Sequence, residues 1–587
     1  RRSWLALSLG WLFLASCSLM NHSEQVQLRN AFIRSDHQLT GSILKDADFY
    51  TDKKNALLAN LEKGMREYSL KNYRESLVYL EQAKDLIDQY FTKSVSQTVA
   101  TYLNNDTSAD YVGENYERSL VYFYAALNHF HLAHASCASE LQTLAQKAPA
   151  VGPDGEAKAA ELEEEGVATQ ERCVPLTVQQ KRQELFAARA ELVAWHNFLQ
   201  NLKQDKQGHA VFKDDLLACL FGGLVHEAIG GNDLQIAWQL YKDGLDILMK
   251  NYNAYATFNM ASSKFVKDYP RLPTLTIDQV LRDYVRPTSW GHELKDYLTF
   301  KFLQLTKKLH PDKYESSVRS LHPRPEVLER LKKEKHLSNV AVVVAHDLIA
   351  NKHGHRVSYS LADALKGQNK NAVNLAYLYS FARDVLGLTP RGDDISLTNA
   401  FLGTTVAAAA VHQAGISFEI PEIIAFPVQE QLKLHVLDQN GAEVYATPLV
   451  VVDPVSEIAA QTLKEQAPGI YTRLGARLAI KHAVAIIAAY TAYQNSKKDF
   501  IARTIAVSSY LIAAKAIEAS EQADLRHWAT LAADYRMADF YLPPGQYQLK
   551  AEIMNAQGEE KREVPLGDLV VEKNDPIGKI VASYRVY

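Results

Sequence analysis

The densest run of chemically capable side chains is Glu521-Gln522-Ala523-Asp524-Leu525-Arg526-His527-Trp528. Two acids, a guanidinium and an indole within eight residues have two uses. The acids can pair with a basic cluster. Arg473, Arg477 and Lys481, at i, i+4 and i+8, place such a cluster on one helix face. Alternatively, Arg526 and Trp528 can anchor a partner, since Trp and Arg are enriched where binding energy concentrates. Ion-pair networks are commoner than sites, so an ion-pair lock of Glu521 or Asp524 with Arg473 or Arg477 is the expectation. His346, Asp347, His353 and His355 are donors of the kind that bind metals, but the helix-face spacing of His-Glu-x-x-His is absent. Asn351-Lys352-His353-Gly354-His355 reads as a polar loop after a buried strand, and no metal or cofactor is expected. No nucleophile elbow, P-loop or GxGxxG run occurs, so no catalytic residue is assigned.

The cysteines carry a second set of expectations. Arg1-Arg2 precede a short apolar run from Trp4 to Leu14, the pattern of a secretory signal too short for a permanent anchor. Leu14-Ala15-Ser16-Cys17 then resembles the lipobox of bacterial lipoproteins. That resemblance implies removal of residues 1–16, diacylation of Cys17, and the lipid bilayer as a partner. Ser18, where Asp would retain the protein at the inner membrane, implies the outer membrane and its periplasmic face. Removing two arginines leaves 62 basic against 68 acidic residues, a charge of −6 where the whole chain has −4. Without a basic excess, no nucleic-acid partner is expected. In a periplasmic protein Cys137 and Cys173 can bridge a loop of about 35 residues or stay reduced. Cys219, inside the apolar run Leu216 to Phe221, is expected as a buried free thiol.

With 47% hydrophobic and 22% charged residues, the chain is globular rather than disordered. Ser18 to about Ser42 is polar and reads as a tether or a loose first helix, and residues 17–54 are expected as lipid anchor and tether. Residues 55–269 show a period near 3.6 with very few prolines. Gly64, Tyr73, Ser76, Leu80 and Ala83 resemble a tetratricopeptide repeat. Gly223, Ala237, Tyr241 and Gly244 repeat the offsets of four and three. A generic helical bundle is the alternative. Residues 270–455 are Pro-broken and strand-bearing, with Asp438-Gln439-Asn440-Gly441 as a hairpin turn. Residues 456–535 read as two long Ala-rich helices, the first broken at Pro468-Gly469 and the second running from about Thr504 to Ala533. Residues 536–587 read as a C-terminal β segment. His310-Pro311-Asp312 repeats three residues of the J-domain co-chaperones without that domain's hydrophobic pattern.

The run from Glu521 to Trp528, followed by Leu542-Pro543-Pro544-Gly545-Gln546-Tyr547, resembles an uncharacterised family of proteobacterial outer-membrane lipoproteins. Shared features are the lipobox, the Tyr116 to Val121 helix and the Gly223 to Ala228 repeat. The resemblance implies envelope proteins as partners. It points to the peptidoglycan synthesis machinery, because genes of this family often lie near lipoproteins that activate peptidoglycan synthases. The expected fold class is α+β: an N-terminal tetratricopeptide-like helical array, then a mixed α/β C-terminal half with a small β domain. The expected function is a non-enzymatic scaffold or regulator in the bacterial cell envelope. The alternative is a periplasmic envelope hydrolase with a site in the C-terminal half.

Overall fold

The computed structural model describes residues 21–94, 106–142, 173–204, 212, 214–258, 290–334, 336–360, 415–495, 509, 512–518, 520–555, 560–573 and 575–587. The signal segment, Cys17, the acidic run at 161–165 and the Ala-rich stretch 404–414 lie outside them. Helices α1 (Asn21–Ile33) and α2 (His37–Asp46) open the described chain. The tether expected over residues 17–54 is therefore folded from Asn21 onward, with Leu28, Phe32, Leu44, Phe49 and Tyr50 in the main core. The segment looks polar in sequence because Gln25 and Arg29 point inward, donating to the carbonyls of His527 and Ala529.

Eight further helices alternate between two layers. They are α3 (Ala56–Ser69), α4 (Tyr73–Ser94), α5 (Asn115–Ala133), α6 (Val178–Gln204), α7 (Leu216–Ile229), α8 (Asp233–Lys250), α9 (Trp290–Leu309) and α10 (Pro311–Leu321). Each packs on its neighbour in the chain. Glycines set the closeness of the two tight hairpins. A Cβ on Gly64 would stand 3.1 Å from Leu80, and one on Gly223 would stand 2.5 Å from the Tyr241 ring. The Ser76 hydroxyl also donates to the Gly64 carbonyl at 2.8 Å. Helices α3, α5, α7 and α9 are buried on nearly every side. By contrast, α4 and α6 each bury one stripe (Leu77, Leu80, Ala83 and Ile87; Leu185, Ala188, Trp195 and Leu199), and α10 buries none of its residues. A helix apolar all round belongs inside, and one with a single apolar stripe belongs at the surface.

After α11 (Pro325–Lys333) come the strands β1 (Val340–His346), β2 (Lys352–Ser360), β3 (Gly415–Ile423), β4 (Gln431–Leu437), β5 (Glu443–Pro448) and β6 (Val450–Asp453). The long helix α12 (Val455–Asn495) follows, then β7 (Asp534–Phe540), β8 (Gly545–Met554), β9 (Glu560–Val571) and β10 (Ile580–Val586). One sheet has the order β10-β1-β7-β6, with β10 parallel to β1. A second has the order β5-β4-β8-β9, and β2 pairs antiparallel with β3. Alternation along β1 places Val340, Val342 and Val344 in a core shared with Leu434, Val436 and Leu549 of the second sheet. Ala341 and Val343 instead join the core of the helices. The described molecule is α+β, stacked as outer helices, inner helices, sheet and sheet.

Four expectations are corrected. Residues 536–587 do not form a β unit of their own: β7 and β10 flank β1, and β8 and β9 complete the sheet of β4 and β5. Helix α12 runs unbroken through Pro468-Gly469, since its buried stripe Leu463, Ile470, Leu474 and Leu478 continues across them. The second Ala-rich helix does not extend to Ala533, because residues 521–533 carry neither helix nor strand. His353 and His355 lie on β2, paired with β3, rather than in a loop. The turn at Asp438–Gly441 does join β4 to β5, with Gly441 at φ +79°.

Candidate functional site

Residues 521–533 thread between the inner helices and the first sheet. A buried segment without regular structure must still satisfy its backbone polar groups. Here other elements do so. The Trp528 N–H donates to Glu117 of α5 at 2.7 Å and the Ala529 N–H to Glu62 of α3 at 2.7 Å, while the Thr530 hydroxyl also donates to Glu62. The carbonyl of Arg526 accepts from Lys352 of β2 at 3.0 Å, that of His527 from Gln25 at 2.6 Å, and that of Ala529 from Arg29 at 2.9 Å. Burial raises the Glu62 carboxyl to about 7 against the opposing bonds from Thr530 and Ala529. Burial also raises Glu117, opposed by the Lys352 charge.

Glu521 is the acid that closes the expected lock. It meets Arg477 of α12 at 2.9 Å and Lys481 at 2.5 Å, and both Glu521 and Arg477 are buried. Asp524 does not reach that helix; it pairs with Arg526 at 2.7 Å, and Arg473 is exposed. Arg526 also donates to the Asn55 side chain at 3.0 Å and the Ala109 carbonyl at 2.9 Å. Trp528 is wholly buried, its ring 5.9 Å from that of Tyr124. Arg526 and Trp528 are thus committed inside the molecule and do not form a surface anchor.

A second ionic group escaped the sequence reading. Lys301 of α9, Glu227 of α7, Asp539 of β7 and Lys579 meet with side chains at most 2% exposed: Lys301–Asp539 2.5 Å, Lys301–Glu227 2.8 Å, Lys579–Glu227 2.7 Å and Lys579–Asp539 2.9 Å. Burial alone would raise the Asp539 carboxyl; Lys301 and Lys579 outweigh it and hold it below the usual carboxylate range. The available signal was a lone charge between large apolar neighbours, as in Phe300-Lys301-Phe302.

Two arrangements have the outline of catalytic groups. The Ser583 hydroxyl lies 2.7 Å from His131 Nε2 and 2.5 Å from the Tyr68 hydroxyl, the spacing of a nucleophile and its base. Burial, with smaller contributions from His134 and Lys71, lowers His131 to about 3, too weak a base to take up a serine proton near neutral pH. His346 meets Asp534 at 2.9 Å and Glu430 at 3.3 Å, and Arg536 also pairs with Asp534. That set cross-links strands and joins no wider donor group: among the described residues, no three His, Cys, Asp or Glu side chains gather to hold a metal.

On the outer side, α6 and α8 stand apart over α7 and leave a groove of about 820 Å³. It exists because the α7 residues beneath it are small: Ala218, Cys219 and Gly222. Val193 (56% exposed) and Ile236 (45%) rise at its edges, beside Leu240 and Ile247. Cys219 is the buried free thiol, and burial raises its pKa. Cys137 and Cys173 form a disulfide with Cα atoms 5.0 Å apart. No helix among the described residues is long and apolar enough to cross a membrane. Compared with known proteins, the chain matches no family model, no curated protein and no solved structure.

Proposed function

We propose that the chain is a non-enzymatic lipoprotein held at the periplasmic face of the outer membrane by acylated Cys17. There it acts as a protein-interaction scaffold or regulator of envelope assembly, with peptidoglycan synthesis as the process served. The array α3 to α10 is tetratricopeptide-like in this reading. Its support is the packing of each helix on the next, the glycine contacts in both hairpins, and the alternation of inner and outer helices. The observation that carries the proposal is the fate of the inner helices. Glu62, Tyr68, Glu117, Tyr124, Glu227 and Lys301 all bond to the protein's own C-terminal half. Helical arrays commonly offer their inner face to partners. Here that face is occupied, so partners meet the outer helices instead of the concave surface of residues 55–269.

The test uses the full chain in cells. Metabolic labelling with an alkyne fatty acid should mark the wild type and not Cys17→Ser, and the variant should leave the membrane fraction. Crosslinking of solubilised envelopes should recover the same envelope proteins through outer-helix residues. Peptidoglycan zymography should show no released fragments. Reproducible activity that disappears in Ser583→Ala would establish the hydrolase instead.

A further inference from the structure

The groove between α6 and α8 has two unlike walls. Arg189, His196 and Lys203 line the α6 side; on the α8 side are Asp243, Asp246 and, paired with Asp246 at 3.7 Å, Lys250, so that wall keeps an excess of one negative charge. Both helices run the same way along it, since Arg189 pairs with Asp233 at one end and Lys203 and Asn251 both reach Asp214 at the other. The stretch of α6 from Arg189 to Lys203 spans about 21 Å, the length of roughly 14 helical residues. The charges are available: the Arg189 and Lys203 side chains are 44% and 40% exposed, and exposed pairs of this kind exchange partners readily.

We propose that this groove receives an amphipathic α-helix of a partner protein, its apolar face on the small-residue floor, one acidic flank toward α6 and one basic flank toward α8. The inference rests on the scaffold reading and names the chemistry of its partner. An apolar stripe in a groove of matching length is a standard way for a helix to be held. The two walls add a demand that a purely acidic or purely basic helix does not meet. Floor and walls also explain each other. The large side chains that would close the groove from below are missing at Ala218, Cys219 and Gly222, yet Val193 and Ile236 remain exposed above.

The experiment titrates the full chain against three fluorescein-labelled 15-residue peptides sharing one leucine stripe. Their flanks are Glu on one side and Lys on the other, Glu on both, or Lys on both. The mixed peptide should bind at least about tenfold tighter than either uniform one, and Val193→Asp or Ile236→Asp should weaken it by a similar factor. Asp243→Lys with Asp246→Lys makes both walls basic and should transfer the preference to the all-Glu peptide. Thermal melts of each variant verify folding. Equal binding of all three peptides, or binding unchanged by Val193→Asp, overturns the inference. So does displacement of the mixed peptide by dodecyl maltoside at low occupancy, which would mark an acyl-chain groove, or self-association lost in Ile236→Asp, which would mark a second copy. If Cys17 labelling and crosslinks at other outer residues persist while the groove fails, the scaffold reading stands without this partner.

Discussion

The two faces of the helical array invert the usual placement of side chains. Its inner face carries Glu62, Glu117, Glu227 and Lys301, all nearly inaccessible, while its outer face leaves Val193 and Ile236 in water. Charged residues are seldom fully buried unless paired, and exposed apolar residues gain interest when they rim a groove. The difference separates two tasks. Glu62 and Glu117 act as surrogate secondary structure for a segment that forms none, Glu227 and Lys301 close an ionic group with Asp539 and Lys579, and both sets fasten the two halves of the chain together. The outer apolar residues keep about half of their surface in water, and that half is free to bind.

Perturbing the inner face should have the largest effects. Lys301→Met leaves Glu227 and Asp539 with Lys579 as their remaining lysine, and loss of one member of a buried ionic group typically costs about 3–5 kcal/mol. Urea unfolding of the full chain should show that loss, with part of it recovered in Lys301→Met/Asp539→Leu. A double variant as unstable as the sum of the singles would mean the four charges do not act together. Next in size is the lock. A cycle on Glu521→Gln and Arg477→Met should give a coupling of about 1–3 kcal/mol, whereas Asp524→Asn with Arg477→Met should add within about 0.5 kcal/mol. The reverse ranking would assign the lock to Asp524.

Glu62 supplies a pH signature. Its folded value, raised to about 7 from an ordinary 4.5, means the unfolded chain ionises first as pH increases. Stability is therefore lost between pH 4.5 and 7, by up to roughly 3 kcal/mol. Glu62→Gln, which mimics the neutral acid, should show a melting temperature that falls less from pH 5 to pH 8 than the wild type. Parallel curves would show that Glu62 is solvated. The smallest stability effect belongs to the outer face. Val193→Asp and Ile236→Asp should each change unfolding free energy by no more than about 0.5 kcal/mol, as ordinary surface positions do. A loss several times larger would place those residues in a core.

What could be read from the sequence was what neighbouring residues decide. The hairpin of α3 and α4 was legible because Gly64, Ser76 and Leu80 meet across one short turn, and the β4–β5 turn because Asn440-Gly441 needs no distant help. The Glu521 to Trp528 segment misled for the opposite reason. Its composition suits a helix, but the bonds that replace helical ones come from Gln25, Glu62 and Glu117, as far as 502 positions away. The lock was foreseen with either of two acids, and only Glu521 closes it. On a helix, Asp524 lies one turn from Glu521 and either could face Arg477, whereas the extended path carries Asp524 back to Arg526. The groove was not legible at all, since small residues on α7 become a floor only once α6 and α8 flank them.

Hydrogen exchange tests the occupied inner face most directly. The Trp528 and Ala529 amides, bonded to Glu117 and Glu62, should be as strongly protected in the full chain as the amides of α5 and α7, and should open with them in one cooperative step. Exchange of residues 528–530 within seconds, while α5 and α7 stay protected, would show that the helical array does not clasp its own C-terminal half.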